Sequence, residues 1–152
     1  MLSQRARYAL KATLNLGRAP GETRQVALIA EEEQIPRKFL EAIMSDLRRA
    51  GLVRSVRGNM GGYQLARPAD LISFAEVIRA TDGPLAMLPC VSRNFYQRCD
   101  DCRDEFACSL RLLFAEVREA VSGILDNRTL ADALARERED GQRPDLALLP
   151  KD

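Results

Sequence analysis

Apolar residues recur at three- and four-residue steps through residues 3–50, and breaks in that spacing predict three short helices. Ser3 is placed to cap the first, which runs to about Leu16 with Ala6, Ala9, Leu10, Thr13, Leu14 and Leu16 on its inner side. Gly17 and the Pro20-Gly21 pair end it. A second helix, rich in Ala and Glu, spans roughly Val26 to Gln34. The third is predicted from Pro36, in a first turn where the missing N–H costs nothing, to about Ala50. Phe39, Leu40, Ile43, Met44 and Leu47 form its expected buried stripe, and Gly51 its C-terminal cap.

The period then changes. Leu52 to Arg57 alternates and is β-branched, Gly58 to Gly62 is a turn, and Tyr63 to Ala66 completes a predicted β-hairpin. Ser73 and Glu76 have capping-box spacing and open a helix to about Ala80, which Thr81-Asp82-Gly83-Pro84 stops. Residues 85–105 lack a period. From about Phe106 to Leu125 helical spacing returns through Phe106, Leu110, Leu113, Phe114, Val117, Val121 and Ile124. Thr129 is placed to cap one last short helix, and from about Arg136 a loose tail is expected.

Three helices followed by a hairpin predict a mainly α fold: a winged helix-turn-helix domain with a two-stranded β wing, plus a long C-terminal dimerisation helix. The expected divisions are 1–82 for the DNA-binding domain, 83–105 for a cysteine-rich sensor loop, 106–135 for the dimerisation region and 136–152 for a flexible tail. The expected partner is double-stranded DNA. A third helix entered by its N-terminal end would offer Arg37, Lys38 and Glu41 to base edges. Arg48 and Arg49, further along, are placed to meet phosphates, and Arg54 and Arg57 flank the tip of the wing. Dimerisation is expected because one short domain cannot easily cover the apolar stripe of 106–124.

Charge changes the picture only modestly. The 152 residues carry a net +1, but residues 1–80 hold 13 Lys+Arg against 8 Asp+Glu, and residues 81–152 hold 10 against 14. The first half therefore favours a polyanion. The chain shows no apolar run of membrane-spanning length and no secretory leader pattern, so no membrane association and a cytoplasmic location are expected.

The cysteines change it more. Cys90, Cys99, Cys102 and Cys108 fall in one window, spaced C-x8-C-x2-C-x5-C, and the chain has no His. In a cytoplasmic chain such bunching points to metal or redox chemistry. Four thiolates suit either tetrahedral zinc or an iron–sulfur cluster, and spacing alone leaves both open. Arg93, Arg98 and Arg103 are expected to lower thiol pKa values, against the opposing Asp100, Asp101, Asp104 and Glu105.

Several runs carry a family resemblance. They are Tyr8-Ala9-Leu10, Phe39-Leu40-Glu41, Leu47-Arg48-Arg49-Ala50-Gly51-Leu52-Val53, Ala75-Glu76-Val77-Ile78, and above all Ser55-Val56-Arg57-Gly58 leading into Gly61-Gly62-Tyr63. The chain resembles the Rrf-type (IscR/NsrR/CymR-like) bacterial winged helix-turn-helix regulators to about Leu134. The resemblance implies a homodimer paired through the long helix after the cysteines, on a near-palindromic operator. It places Lys38 and Glu41 in the reading helix and Arg57 at the wing. In cluster-bearing members it implies three cysteine ligands, matching Cys90, Cys102 and Cys108. Their fourth ligand is a His three residues after the last Cys, or an acidic residue near the partner's N-terminus. Here those positions hold Arg111 and Tyr8, so Cys99 is the candidate fourth ligand.

The expected function is a regulator, in the sense of a repressor, whose operator affinity follows an iron–sulfur cluster (2Fe–2S or 4Fe–4S) or redox-active cysteines responding to iron, redox state or nitric oxide. Zinc or thiol-only control is the alternative. An enzyme is not expected: His, the commonest general base, is absent, and Cys99-Asp100-Asp101-Cys102 lacks the strand-then-helix setting of a dithiol oxidoreductase. A winged-helix module that binds protein is a further alternative.

Overall fold

A computed structural model of the chain describes residues 2–58 and 60–139. Among the described residues the elements are α1 (Gln4–Arg18), α2 (Val26–Glu33), α3 (Arg37–Arg49), β1 (Val53–Val56), β2 (Gly62–Leu65), α4 (Phe74–Asp82), α5 (Ser109–Leu125) and α6 (Leu130–Glu139). Their order is that of a winged helix-turn-helix, as the sequence predicts.

Local chemistry sets most of the boundaries. The Ser3 hydroxyl accepts from the Ala6 N–H at 3.0 Å and opens α1. Gln34, left-handed at φ 54°, closes α2, and the Ile35 N–H then bonds the Ala30 carbonyl at 2.8 Å. Pro36 occupies the cap position of α3 and not its first turn, because its ψ of 123° is still extended and the chain must reverse there. Gly51, at φ 72°, supplies the left-handed residue that ends α3.

The stripe of α3 forms the centre of the core. Leu40, Ile43, Met44 and Leu47 are fully buried against Ala9, Ala12, Leu16, Ile29, Ile72 and Val77. Phe39 corrects the predicted stripe: it is 64% exposed. One residue before Leu40 is about 100° around the helix, which turns Phe39 out of the core. Thr13 does belong to the buried side of α1, its hydroxyl donating to the Ala9 carbonyl at 3.0 Å.

The hairpin pairs Val53 with Leu65, Arg54 with Gln64, Ser55 with Tyr63 and Val56 with Gly62. It is docked as well as paired. Tyr63 exchanges both backbone hydrogen bonds with Arg24, at 2.9 and 3.0 Å, which fastens β2 to the segment before α2. Ser73 and Glu76 form the complete capping box of α4, which continues to Asp82.

α6 falls within the region 106–135 that the sequence assigns to dimerisation. It packs on the N-terminal body and not on α5: Leu130 is fully buried in the main core, and Leu134 is 5% exposed. The Leu130 N–H bonds the Ile72 carbonyl at 2.9 Å, and Arg18 on α1 pairs with Glu137 at 2.9 Å. Thr129 and Asp132 cap α6 reciprocally, at 2.8 and 3.2 Å. Residues 136–139 continue this helix, so the expected tail does not begin at Arg136; its remainder, 140–152, lies outside the described residues.

α5 stands apart. It begins at Ser109 and not at Phe106, and no residue along it is buried. No described helix is long and apolar enough to cross a membrane.

Candidate nucleic-acid interface and cysteine loop

With Leu40, Ile43, Met44 and Leu47 turned inward, the helical repeat assigns the opposite face of α3 to Lys38, Ala42, Ser45 and Arg49. All four are exposed. Arg37, Glu41 and Arg48 occupy one flank, and Phe39 and Asp46 the other. Arg37 Nε lies 3.0 Å from Glu41 Oε1, so part of each side chain's capacity is engaged within the helix. Arg49 pairs with Asp46, which also holds Arg5 of α1. Among the described residues Lys38 and Arg48 have no acidic partner.

The wing lies next in the chain and is held rigidly. Arg54 donates twice to Gln64 Oε1, at 2.7 and 3.1 Å. Gln64 Nε2 in turn donates to the Gly21 carbonyl and to Thr23 Oγ1, at 3.0 and 2.8 Å. Arg54 therefore spans the hairpin instead of extending from it. Arg57, just past β1, is exposed and has no acidic partner among the described residues. The structure thus places all six predicted DNA-contact residues on the surface; among the described residues Lys38, Arg48, Arg54 and Arg57 have no acidic partner, the Arg54 guanidinium being held by the neutral Gln64 amide.

The cysteine loop is tied to α5 by arginines. Cys90 is buried in a single 3₁₀ turn, while Cys99, Cys102 and Cys108 are half-buried, and all four thiols are free. Cys108 is the cap residue of α5. Arg111, at the position where the resemblance calls for a His ligand, donates to the carbonyls of Cys90 at 3.3 Å and Glu105 at 3.4 Å. Arg118 donates to the Val91 carbonyl at 2.5 Å.

Of the four thiols, Cys99 lies against Cys90. The hydrogen bond between them, aided by burial and by the fields of Cys90, Asp101 and Cys108, pushes the Cys99 thiol above its ordinary pKa. For Cys99 the opposing groups, Asp101 among them, prevail over the neighbouring arginines. Two of those arginines are committed elsewhere: Arg93 to Glu119 at 2.6 Å, and Arg98 to Glu105 and to the Cys102 carbonyl at 3.5 and 2.8 Å. Four thiol donors are chemically suited to a thiolate-bound centre. Among the described residues, however, no three Cys, Asp or Glu side chains are gathered as a metal site.

The profile described as "Rrf2: Iron-dependent Transcriptional regulator" matches residues 2–136. The chain belongs to the Rrf2 family. Over 139 residues it is 46% identical to an rrf2-like HTH-type transcriptional regulator of Rhodobacter capsulatus, covering 89% of this chain and 93% of that one. Its structure is similar to CymR, the global cysteine regulator of B. subtilis, with a TM-score of 0.73 and 30% identity over 89% of this chain and 96% of CymR. It is also similar to T. potens IscR, with a TM-score of 0.73 and 27% identity over 98% and 96% of the two chains. Like these Rrf2 proteins, it is a transcriptional regulator and not an enzyme.

For this Rrf2 chain the sequence reading of the interface missed Ala42 and Ser45. Both lie at the centre of the outward face of α3, four and seven residues after Lys38. The signal was present: the same repeat that selects the core stripe selects its opposite. Neither residue carries a charge that would mark it in the sequence.

Proposed function

We propose that this Rrf2-family regulator is a homodimer that binds a near-palindromic operator in double-stranded DNA, in the cytoplasm, in the sense of a repressor. The observation that carries the reading is the solvent side of α3, where Lys38 on the outward face and Arg48 on its flank have no acidic partner among the described residues, with Arg57 at the end of a docked wing. Lys38 and Glu41 are the residues we assign to base edges. Arg37 adjusts Glu41, and Arg48, Arg54 and Arg57 are assigned to the backbone. α5 supports pairing: Leu110, Leu113 and Ile124 are 60%, 54% and 62% exposed on one side of a helix with no buried residue.

Operator fragments selected from a random duplex pool test the DNA reading. Charge reversal by Lys38→Glu or Arg57→Glu is expected to weaken binding about tenfold or more, and binding by the native chain is expected to fall steeply with salt. Unaltered affinity in both variants would refute it.

The reading extends to the loop. Cys90, Cys99, Cys102 and Cys108 are the residues that would hold an iron–sulfur cluster or zinc. A bound cluster would supply sensitivity to oxidation, nitric oxide and iron supply. The chain's own part is mechanical: Arg111 and Arg118 clamp the loop carbonyls to α5, so a change in loop order is passed to the helix that sets the spacing of the two DNA-binding domains. The likeness to the cysteine regulator CymR favours a second reading, thiol control without a metal. Anaerobic purification separates them. Colour with iron and sulfide, reduced by Cys99→Ser, is the expected result. A colourless protein with one zinc per chain, or with no metal, decides for the alternatives.

A further inference from the structure

On the side of α5 that faces α4, the segment 84–94 closes a concavity of about 260 Å³. Arg79, Arg93 and Arg118 line it together with Ser92, Asn94 and Ser122. The guanidiniums are only partly satisfied. Arg79 engages Asp126 at 2.5 and 3.0 Å, and Arg93 and Arg118 share the single carboxylate of Glu119. Three cations against two carboxylates leave one positive charge. Arg118 Nε is buried with no partner. Ser92 is only 6% exposed; its Oγ accepts from the Phe95 N–H at 3.0 Å, which leaves its hydroxyl proton to donate.

We propose that this concavity binds a small organic monocarboxylate carrying an adjacent hydroxyl or carbonyl, a 2-hydroxy or 2-oxo acid. The residual charge of one matches one carboxylate, and guanidinium forks suit its planar, bidentate geometry. Ser92, Ser122 and Asn94 supply neutral donors for the second group. The volume lies just below the roughly 300–1,000 Å³ of sites for drug-sized ligands, which suits a small ligand. Arg118 and Ser122 lie about 110° and about 150° around α5 from the centre of the stripe formed by Leu110, Leu113 and Ile124, so pairing through that stripe leaves the concavity open. A ligand there would touch α4 and α5 together and hold the angle between them. That regulatory consequence rests on the operator-binding reading above; the binding itself does not.

Isothermal calorimetry on the full chain with glycerate, lactate and pyruvate, and inorganic phosphate as the comparison anion, tests the site. At least one of the three acids is expected to saturate at one per chain. Arg118→Gln and Arg93→Gln should each weaken it about tenfold, while Arg138→Gln on exposed α6 should not. Because Arg118 also holds Val91, the largely exposed Arg93 provides the variant least able to disturb folding. No saturable binding of any acid at millimolar concentration, equal binding of phosphate, or undiminished affinity in both pocket variants would overturn the proposal. DNA takes no part in the calorimetry, so failure of the operator reading is distinguishable. With binding intact, operator affinity should shift about fivefold at saturation, and no shift would overturn the regulatory role.

Discussion

At Gly62 a Cβ would lie 2.3 Å from the Arg24 carbonyl oxygen and 2.9 Å from the Gln25 nitrogen. Both are backbone atoms, so no rotamer change relieves the clash. The residue sits where the wing docks, beside the Arg24–Tyr63 bridge. Gly62→Ala is expected to cost about 1–3 kcal/mol in urea unfolding and to weaken operator binding further by releasing the wing. An unchanged unfolding midpoint would mean that the wing is not held there. The glycine cluster was legible in the sequence as a turn. Which glycine meets another backbone was not, because Arg24 is distant in the chain.

Helix caps are where sequence and structure agree most closely, since each cap is decided within four residues. For Glu76, burial pushes the carboxyl pKa up, but the Arg67 guanidinium and the Ser73 N–H and hydroxyl outweigh it and hold the carboxyl below its ordinary range. A depressed folded value means the box stabilises α4 above the unfolded glutamate pKa and loses that contribution as pH falls through the lowered one. Ser73→Ala should cost about 1 kcal/mol at neutral pH. The stability difference between native chain and Glu76→Gln should shrink below about pH 4, followed by denaturant titration at several pH values. A gap constant down to pH 2 would remove the carboxylate from the account. Phe39 shows the opposite case. Its apolar character suggested core, and only the phase fixed by the packed residues Leu40 and Leu47 turned it outward.

For the whole molecule the question is what covers α5. Its body-facing side meets α4 and the cysteine loop, with Arg79 and Asp126 clasping the junction, while Leu110, Leu113 and Ile124 are exposed. Replacing Leu113 and Ile124 together by Asp is expected to convert a dimer to a monomer in analytical ultracentrifugation and to weaken operator binding. A dimer that persists would move the interface elsewhere. α6 falls within the region 106–135 expected from sequence to serve dimerisation, yet it returns to α1. Adjacency in the chain is a poor guide to packing once a helix can choose between two apolar surfaces.

Periodicity, caps and turn residues were enough to establish the helices, the wing and the clustering of thiols, because each is written in neighbours a few positions apart. Tertiary structure alone decided which cations remain uncommitted, that Cys99 lies against Cys90, that α6 completes the first core, and that three arginines converge between α4 and α5. Those outcomes depend on groups far apart in sequence competing for the same partners, and a linear pattern carries no record of who wins.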